Sequence, residues 1–180
     1  VRAYATNSVG TAYGNEVSFR GLGIGDFYQG GIIAYLLQPG DPGYDANTPH
    51  GIIAAPTDQS TGAPWGCSNT DIGGTQTGIG YGAANTAAIV NGCTQTGIAA
   101  RICNNLELNG YNDWYLPSLD ELEQLYLNLH LNGIGSFNSA YYWSSTENVA
   151  NEAWRFGFAN AFTTNGWKAT AVYVRGVRVF

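Results

Sequence analysis

Apolar positions along this chain follow two rhythms, a helical one in the middle and a strict alternation near the C-terminus. Tyr142-Trp143-Ser144-Ser145, Ala153 to Phe158 and Val172 to Phe180 alternate with period two, as half-buried strands do. In the second run Trp154, Phe156 and Phe158 share one face, leaving Arg155 and Gly157 on the other. After Pro117 the rhythm is helical: Leu119, Leu122, Leu125, Tyr126 and Leu129 form one stripe, a core face rather than a partner-binding one. Ser118 and Glu121 supply a capping box at its start, and Asn132-Gly133 ends it.

Two further helices are expected at Ala83–Asn91 and Ile98–Leu108. Ala87, Ile89 and Val90 give the first its apolar face, and Gly92 and Gly110 stand at the C-cap positions. Gly31–Leu36 and Gly51–Ala55 read as short buried strands around the turn Pro39-Gly40-Asp41-Pro42-Gly43. Pro64 to Gly82 has little periodicity and reads as a long ordered loop anchored by Trp65 and Cys67. Val1–Thr6 and Ala12–Phe19 form a β-hairpin around Asn7-Ser8-Val9-Gly10, followed by a glycine-rich linker at 21–25. The main domain is thus 26–180. Helices followed by a terminal sheet make it α+β, with a small antiparallel sheet, two or three helices and long ordered loops.

Composition narrows the function. Charged residues are only 11% of 180, and the net charge of −6 opposes nucleic acid and anionic membranes, which need clustered cations. The longest apolar run, Ile32–Leu37, falls far short of the roughly 20 residues that insert into a bilayer. There is no Met and no signal peptide, so a fragment of a longer precursor is expected. Cys67, Cys93 and Cys103 lack metal-ligand spacing; one disulfide plus one buried thiol, or three buried thiols, both fit.

Catalytic chemistry finds little support. His50 and His130 have no evident partner, and Asp120, Glu121 and Glu123 sit where they stabilise a helix N-terminus. Asn112-Asp113 belongs to the helix entry, with Asp113 expected to make a structural hydrogen bond near Trp114. Asp41 and Asp45 are the remaining place for a structural calcium. No catalytic residue, metal site or cofactor is expected.

Several runs carry resemblances. VRAYATNSVGTAYGNEVSF, residues 1–19, resembles the closing strands of a bacterial fibronectin type III module. Gly110-Tyr111-Asn112-Asp113-Trp114-Tyr115-Leu116-Pro117-Ser118, followed by Glu121-Leu122, resembles the G-x-x-D-W-x-L-P-[ST]-x-x-E-L signature of the collagen-like-protein C-terminal domain family. Trp65-Gly66-Cys67, Ala84-Asn85-Thr86 and Cys93 extend that likeness. The family is similar to the C-type-lectin-like fold of formylglycine-generating enzymes. Their activity depends on late cysteines, and none follows Cys103.

A sharper likeness lies in the last forty residues. Tyr142-Trp143-Ser144-Ser145-Thr146-Glu147, Ala153-Trp154-x-Phe156-x-Phe158, Lys168 and Tyr173-Val174-Arg175-x-Val177-Arg178-x-Phe180 resemble the fixed frame of variable proteins encoded beside diversity-generating retroelements. There, template adenines are randomised, so Asn codons scatter into a restricted set of residues. Asn148, Val149, Asn151, Arg155, Gly157, Ala159, Asn160, Phe162, Thr164, Asn165, Gly166, Ala169, Thr170, Ala171 and Val172 all belong to that set; Glu152 and Trp167 do not. These positions, with Glu152 and Trp167 added and Gly166 left out, form the candidate binding surface at 148–172. Arg155, Phe162 and Trp167 are its candidate anchors. The resemblance implies a non-enzymatic adhesin- or receptor-type domain on a bacterial surface, anchored through an upstream part. Its ligand would be a macromolecule, protein or glycan, on another cell or phage. The alternative is a glycan- or sulfated-polysaccharide-binding module.

Overall fold

A computed structural model describes residues 2–16 and 21–180. It is α+β. The N-terminal hairpin pairs β1 (Arg2–Asn7) with β2 (Gly10–Glu16) around a tight Ser8-Val9 turn. Asn7 Oδ1 holds the turn by accepting from Val9 N at 2.9 Å and Gly10 N at 3.2 Å. The side chains from Arg2 to Gly14 are exposed. Val1 and 17–20, the remainder of the expected strands, lie outside the described residues.

Past the hairpin, glycines read as linker are partly tied into the domain. Gly23 N donates to Asp26 Oδ2 at 2.9 Å, and Gly25 N to Ile33 O at 2.8 Å. There follow β3 (Phe27–Tyr28), β4 (Gly31–Leu36), β5 (Gly51–Ala54) and β6 (Ser60–Ala63). The helices are α1 (Gly82–Gly92), α2 (Ala99–Asn104) and α3 (Leu119–Asn128), the last continued by a 3-10 turn at His130–Asn132. The chain ends in β7 (Tyr141–Val149), β8 (Glu152–Gly157), β9 (Phe162–Trp167), β10 (Val172–Val174) and β11 (Val177–Val179). Two sheets result, ordered β11-β5-β4-β3 and β6-β10-β7-β8-β9; every pairing is antiparallel except β7 with β10.

Three expectations need correcting. The alternating run Val172–Phe180 is not one strand; it begins in the five-stranded sheet and ends in the four-stranded one. The break falls at Arg175-Gly176. The buried Arg175 guanidinium donates there to Ala55 O at 2.8 Å and Gly135 O at 2.7 Å, and pairs with Asp58 at 2.7 Å. Helix α2 is half as long as expected, because the chain turns back after Asn104 so that Leu108 can bridge to Tyr111. Gly110 therefore sits in that turn at φ 84°, and Gly92 is the last residue of α1. Helix α1 buries Asn85, Thr86 and Ile89 rather than an apolar stripe, leaving Ala87 exposed. The two polar side chains are satisfied. Thr86 Oγ1 exchanges hydrogen bonds with the backbone of Leu116, and Asn85 spans Gln76 N, Gln76 O and Ser145 Oγ.

Helix α3 is capped as its sequence implies. Ser118 Oγ accepts from Glu121 N, and Glu121 Oε2 accepts from Ser118 N at 2.9 Å. Glu121 does more, also accepting from Gly80 N at 2.8 Å, so it ties the long loop to the helix. Burial pushes its carboxyl up to about 7, against the pull of those backbone donors. A Cβ on Gly82 would stand 2.2 Å from Glu121 Oε2, so only glycine fits that approach.

Apolar clusters fill both faces of the five-stranded sheet. Trp65, Ile89, Cys93, Ile98, Leu116 and Trp143 pack on the side of α1 and α2. Tyr142, Phe156 and Phe158 pack with Leu122 and Leu125 of α3, with its capping residue Leu129, and with Ile52 and Val177. Cys67 and Cys93 form a disulfide, and Cys103 is a buried free thiol.

Because the described hairpin side chains are exposed, deleting residues 1–20 should shift the melting temperature by no more than a degree or two, an order-of-magnitude bound for changes that bury nothing. Differential scanning calorimetry checks this; a broad, non-cooperative transition would make the hairpin part of the folding unit.

Candidate ligand-binding surface

Strands β7, β8 and β9 form a ribbon whose register decides where each candidate residue points. Tyr142 pairs with Phe156, Trp143 with Arg155, and Tyr141 with Gly157. Trp154 opposes Asn165, Arg155 opposes Thr164, and Glu152 opposes Trp167. Directly paired residues share a face. Tyr141, Trp143, Ala153, Arg155, Thr164 and Gly166 therefore line the face toward α1, and Tyr142, Glu152, Trp154, Phe156, Asn165 and Trp167 the opposite one.

The inner half of each face is core. Trp143 is fully buried, its Nε1 donating to Ala63 O at 3.0 Å. Phe156 and Phe158 are covered by Tyr126 of α3, at ring-centroid distances of 5.2 and 5.5 Å. Trp154 is different. It lies on the same face as Phe156 but is only half-buried, because its cross-strand neighbour is the polar Asn165 rather than a residue under α3. The sequence pattern counts it with the core; the structure places it at the rim.

Candidate positions are distributed over both faces and the connecting turns. Asn148 and Val149 are exposed at the end of β7, and Asn151 is half-buried in the next turn. Ala159 and Asn160 are exposed in the β8–β9 turn; Ala169, Thr170 and Ala171 are exposed after β9. Phe162 and Trp167 are 59% and 60% exposed. Glu152, Arg155, Thr164 and Asn165 are half-buried. Glu152 Oε2 accepts from Asn165 Nδ2 at 2.6 Å and from Asn148 Nδ2 at 3.2 Å, joining three candidates into one polar patch beside Trp167. Gly157 and Val172 are buried, as is Gly166. Val172 pairs with Ala63, and the Tyr141 ring occupies the space a Gly157 side chain would need. These positions form part of the frame.

A shallow depression of about 300 Å³ opens on the sheet face across β8, the start of β7 and β10, bordered by Thr61, Tyr141, Arg155, Thr170, Ala171 and Tyr173. Thr61 reaches it from β6, about 80 or more residues earlier in the chain, a neighbour no local pattern could reveal.

One buried ion pair fixes the ribbon's ends. Lys168 Nζ pairs with Glu147, donates to Thr70 O at 2.8 Å and stands 4.6 Å from the Trp65 ring centroid. Glu147 also accepts from Ile72 N at 2.9 Å and Gly73 N at 2.7 Å. Burial pushes its carboxyl up, but those donors and Lys168 outweigh it and hold the group below its ordinary value. Trp167 and Lys168 are thus chain neighbours with opposite fates, one exposed and one sealed.

A family model described as the Lcl C-terminal domain matches residues 55–178, well over half of the chain. The chain belongs to the Lcl C-terminal domain family. A search of curated proteins returned no match. The match spans all sixteen candidate surface positions together with the helix-entry motif. In this Lcl C-terminal domain that motif is structural. Asp113 takes Arg178 as a fork, Nε to Oδ1 at 2.6 Å and Nη2 to Oδ2 at 2.8 Å, while Trp114 Nε1 donates to Tyr111 O at 3.2 Å. The match begins at Ala55, yet β5 pairs with β11 and β4 with β5 in one sheet, so the packed unit reaches further toward the N-terminus. Asp41 accepts from Tyr35 Oη and Gln38 N, and Asp45 from Asn47 N. Among the described residues no three His, Cys, Asp or Glu side chains gather as a metal site would require.

Two outcomes follow. Trp143→Ala should cost roughly 3–5 kcal/mol and Trp154→Ala less than half of that, a contrast urea denaturation resolves. Lys168→Met should cost about 3–5 kcal/mol, because it leaves Glu147 buried without its counter-charge. Since the folded Glu147 carboxyl is held low, its stabilisation is present above the ordinary carboxylate range. It is lost as pH falls through the lowered value. Lys168→Met should lose less over the same acid interval, as denaturation midpoints at successive pH values will register.

Proposed function

We propose that this Lcl C-terminal domain is a non-enzymatic recognition module whose β7–β9 ribbon and adjoining turns present the ligand-binding surface. The supporting observation is the division of labour within single strands. Frame residues Trp143, Phe156 and Lys168 are buried, while nine of the sixteen candidate positions, Phe162 and Trp167 foremost, are exposed. A rigid scaffold carrying varied, aromatic-rich exposed positions is how loop- and ribbon-based binders achieve recognition.

The resemblance to retroelement-diversified variable proteins gives that arrangement a rationale: side chains with no packing duty tolerate replacement. Gly157, Gly166 and Val172 do have packing duty, so the surface is smaller than the full set of reachable codons. The C-type-lectin-like and fibronectin-type affinities remain part of this proposal, as does display on a bacterial surface. The Cys67–Cys93 disulfide supports an oxidising, extracellular setting. The non-enzymatic reading is supported by the carboxylates, since Asp58, Asp113, Glu121 and Glu147 are each committed to backbone amides or cations.

The test uses Phe162→Ala and Trp167→Ala, scored against whatever ligand an array of purified surface proteins and glycans selects. Both variants should keep the wild-type melting temperature, and at least one should lose on the order of 2 kcal/mol of binding. Full binding by both, with their folds intact, refutes the ribbon as the recognition surface.

A further inference from the structure

Charge on this chain is scarce, and nearly every described cation is already engaged. Lys168 pairs with Glu147, Arg175 with Asp58 and Arg178 with Asp113; Arg101 donates to the carbonyls of Val90, Cys93 and Gln95. Arg155 stands apart. Its Nε is the buried side-chain nitrogen without an acceptor among the described residues, and its guanidinium meets a ring rather than a carboxylate. A guanidinium stacked on a ring and facing no carboxylate retains charge-assisted hydrogen-bonding capacity for an incoming acid.

The guanidinium is also held still. A Cβ on Gly166 would stand 2.9 Å from both Arg155 Cζ and Nε, so the group lies directly on the β9 backbone. Tyr141 occupies the space above Gly157 and presents its ring 4.5 Å from Arg155 Cζ. Two glycines on one face thus let an arginine and a tyrosine lie flat and stack, at the edge of the 300 Å³ depression. The other residues bordering it carry hydroxyls and methyls and no carboxylate: Thr61, Ala140, Thr170, Ala171, Val172 and Tyr173. A pre-positioned guanidinium matches a carboxylate as a two-pronged fork.

Resting on the recognition reading above, we propose that this depression receives a single aspartate or glutamate side chain of a protein ligand, bound through Arg155. The size favours one short acidic side chain, since 300 Å³ is the lower limit of small-ligand pockets. The net charge of −6 works against an extended polyanion, which would need several free cations along its track.

The experiment follows the Arg155 Nε–Hε resonance by NMR during titration with N-acetyl-aspartate methylamide and N-acetyl-glutamate methylamide at constant ionic strength. A saturable shift is expected with at least one of them, and none with chloride. Arg155→Lys keeps the charge and loses the fork; it should weaken binding about tenfold, measured on the Thr170 and Ala171 amides, at an unchanged melting temperature. Gly166→Ala, which displaces the guanidinium without touching its charge, should weaken it as well. No saturable shift at Arg155, undiminished binding in Arg155→Lys, or tighter binding of a sulfated disaccharide at the same resonance would each overturn the proposal. Failure here leaves the Phe162 and Trp167 measurement standing, and failure there leaves the Arg155 titration standing.

Discussion

The ion pair between Glu147 and Lys168 is the constraint on which the rest of the ribbon depends. Both groups are removed from water, which is tolerable only where every remaining donor and acceptor finds a partner. The long loop supplies those partners through Thr70 O, Ile72 N and Gly73 N, and Trp65 seals the site from below. The same loop is held at its start by the Cys67–Cys93 disulfide and near its end by Glu121. A segment with no secondary structure of its own is thereby as well determined as a strand. Glu147 lies on β7 and Lys168 just past β9, so closing the pair also fixes the ribbon between them.

Separation of fixed and free positions follows from that closure. With its ends bonded to the loop and its inner half packed on both faces, the ribbon needs no stabilising contribution from Phe162, Trp167 or the Asn residues. The surface is nevertheless two-sided: the Glu152–Asn165–Trp167 patch lies on one face and the Arg155 depression on the other. A ligand engaging both must wrap the outer edge or meet the turns at its ends.

Much of this was legible in the residues. The capping box at Ser118 and Glu121, the leucine stripe of α3 and the positions of β7 and β8 are local readings, and each is present, although both strands bury consecutive residues rather than alternate ones. Strand β9 has no sequence signature, because Thr163-Thr164-Asn165-Gly166 has no apolar alternation; its backbone pairing with β8 holds it instead. Helix α1 misled because Asn85 and Thr86 are buried by hydrogen bonds to Gln76 in the preceding loop and to Ser145 and Leu116, both distant in sequence. Trp154 misled for the complementary reason. Alternation gives its face correctly but says nothing of how far α3 extends above it.

Strand β9 lies at the margin of the five-stranded sheet, with its outward row of amides and carbonyls unpaired by any strand among the described residues. Such margins are templates for unwanted pairing between molecules, and proteins blunt them with charge, short length or irregularity. Here the blunting falls to the very side chains that have no packing role. Swapping Thr164 or Asn165 for valine would leave the fold intact and yet make the margin sticky. The range of sequences this ribbon can carry is therefore bounded by solubility before it is bounded by what they bind.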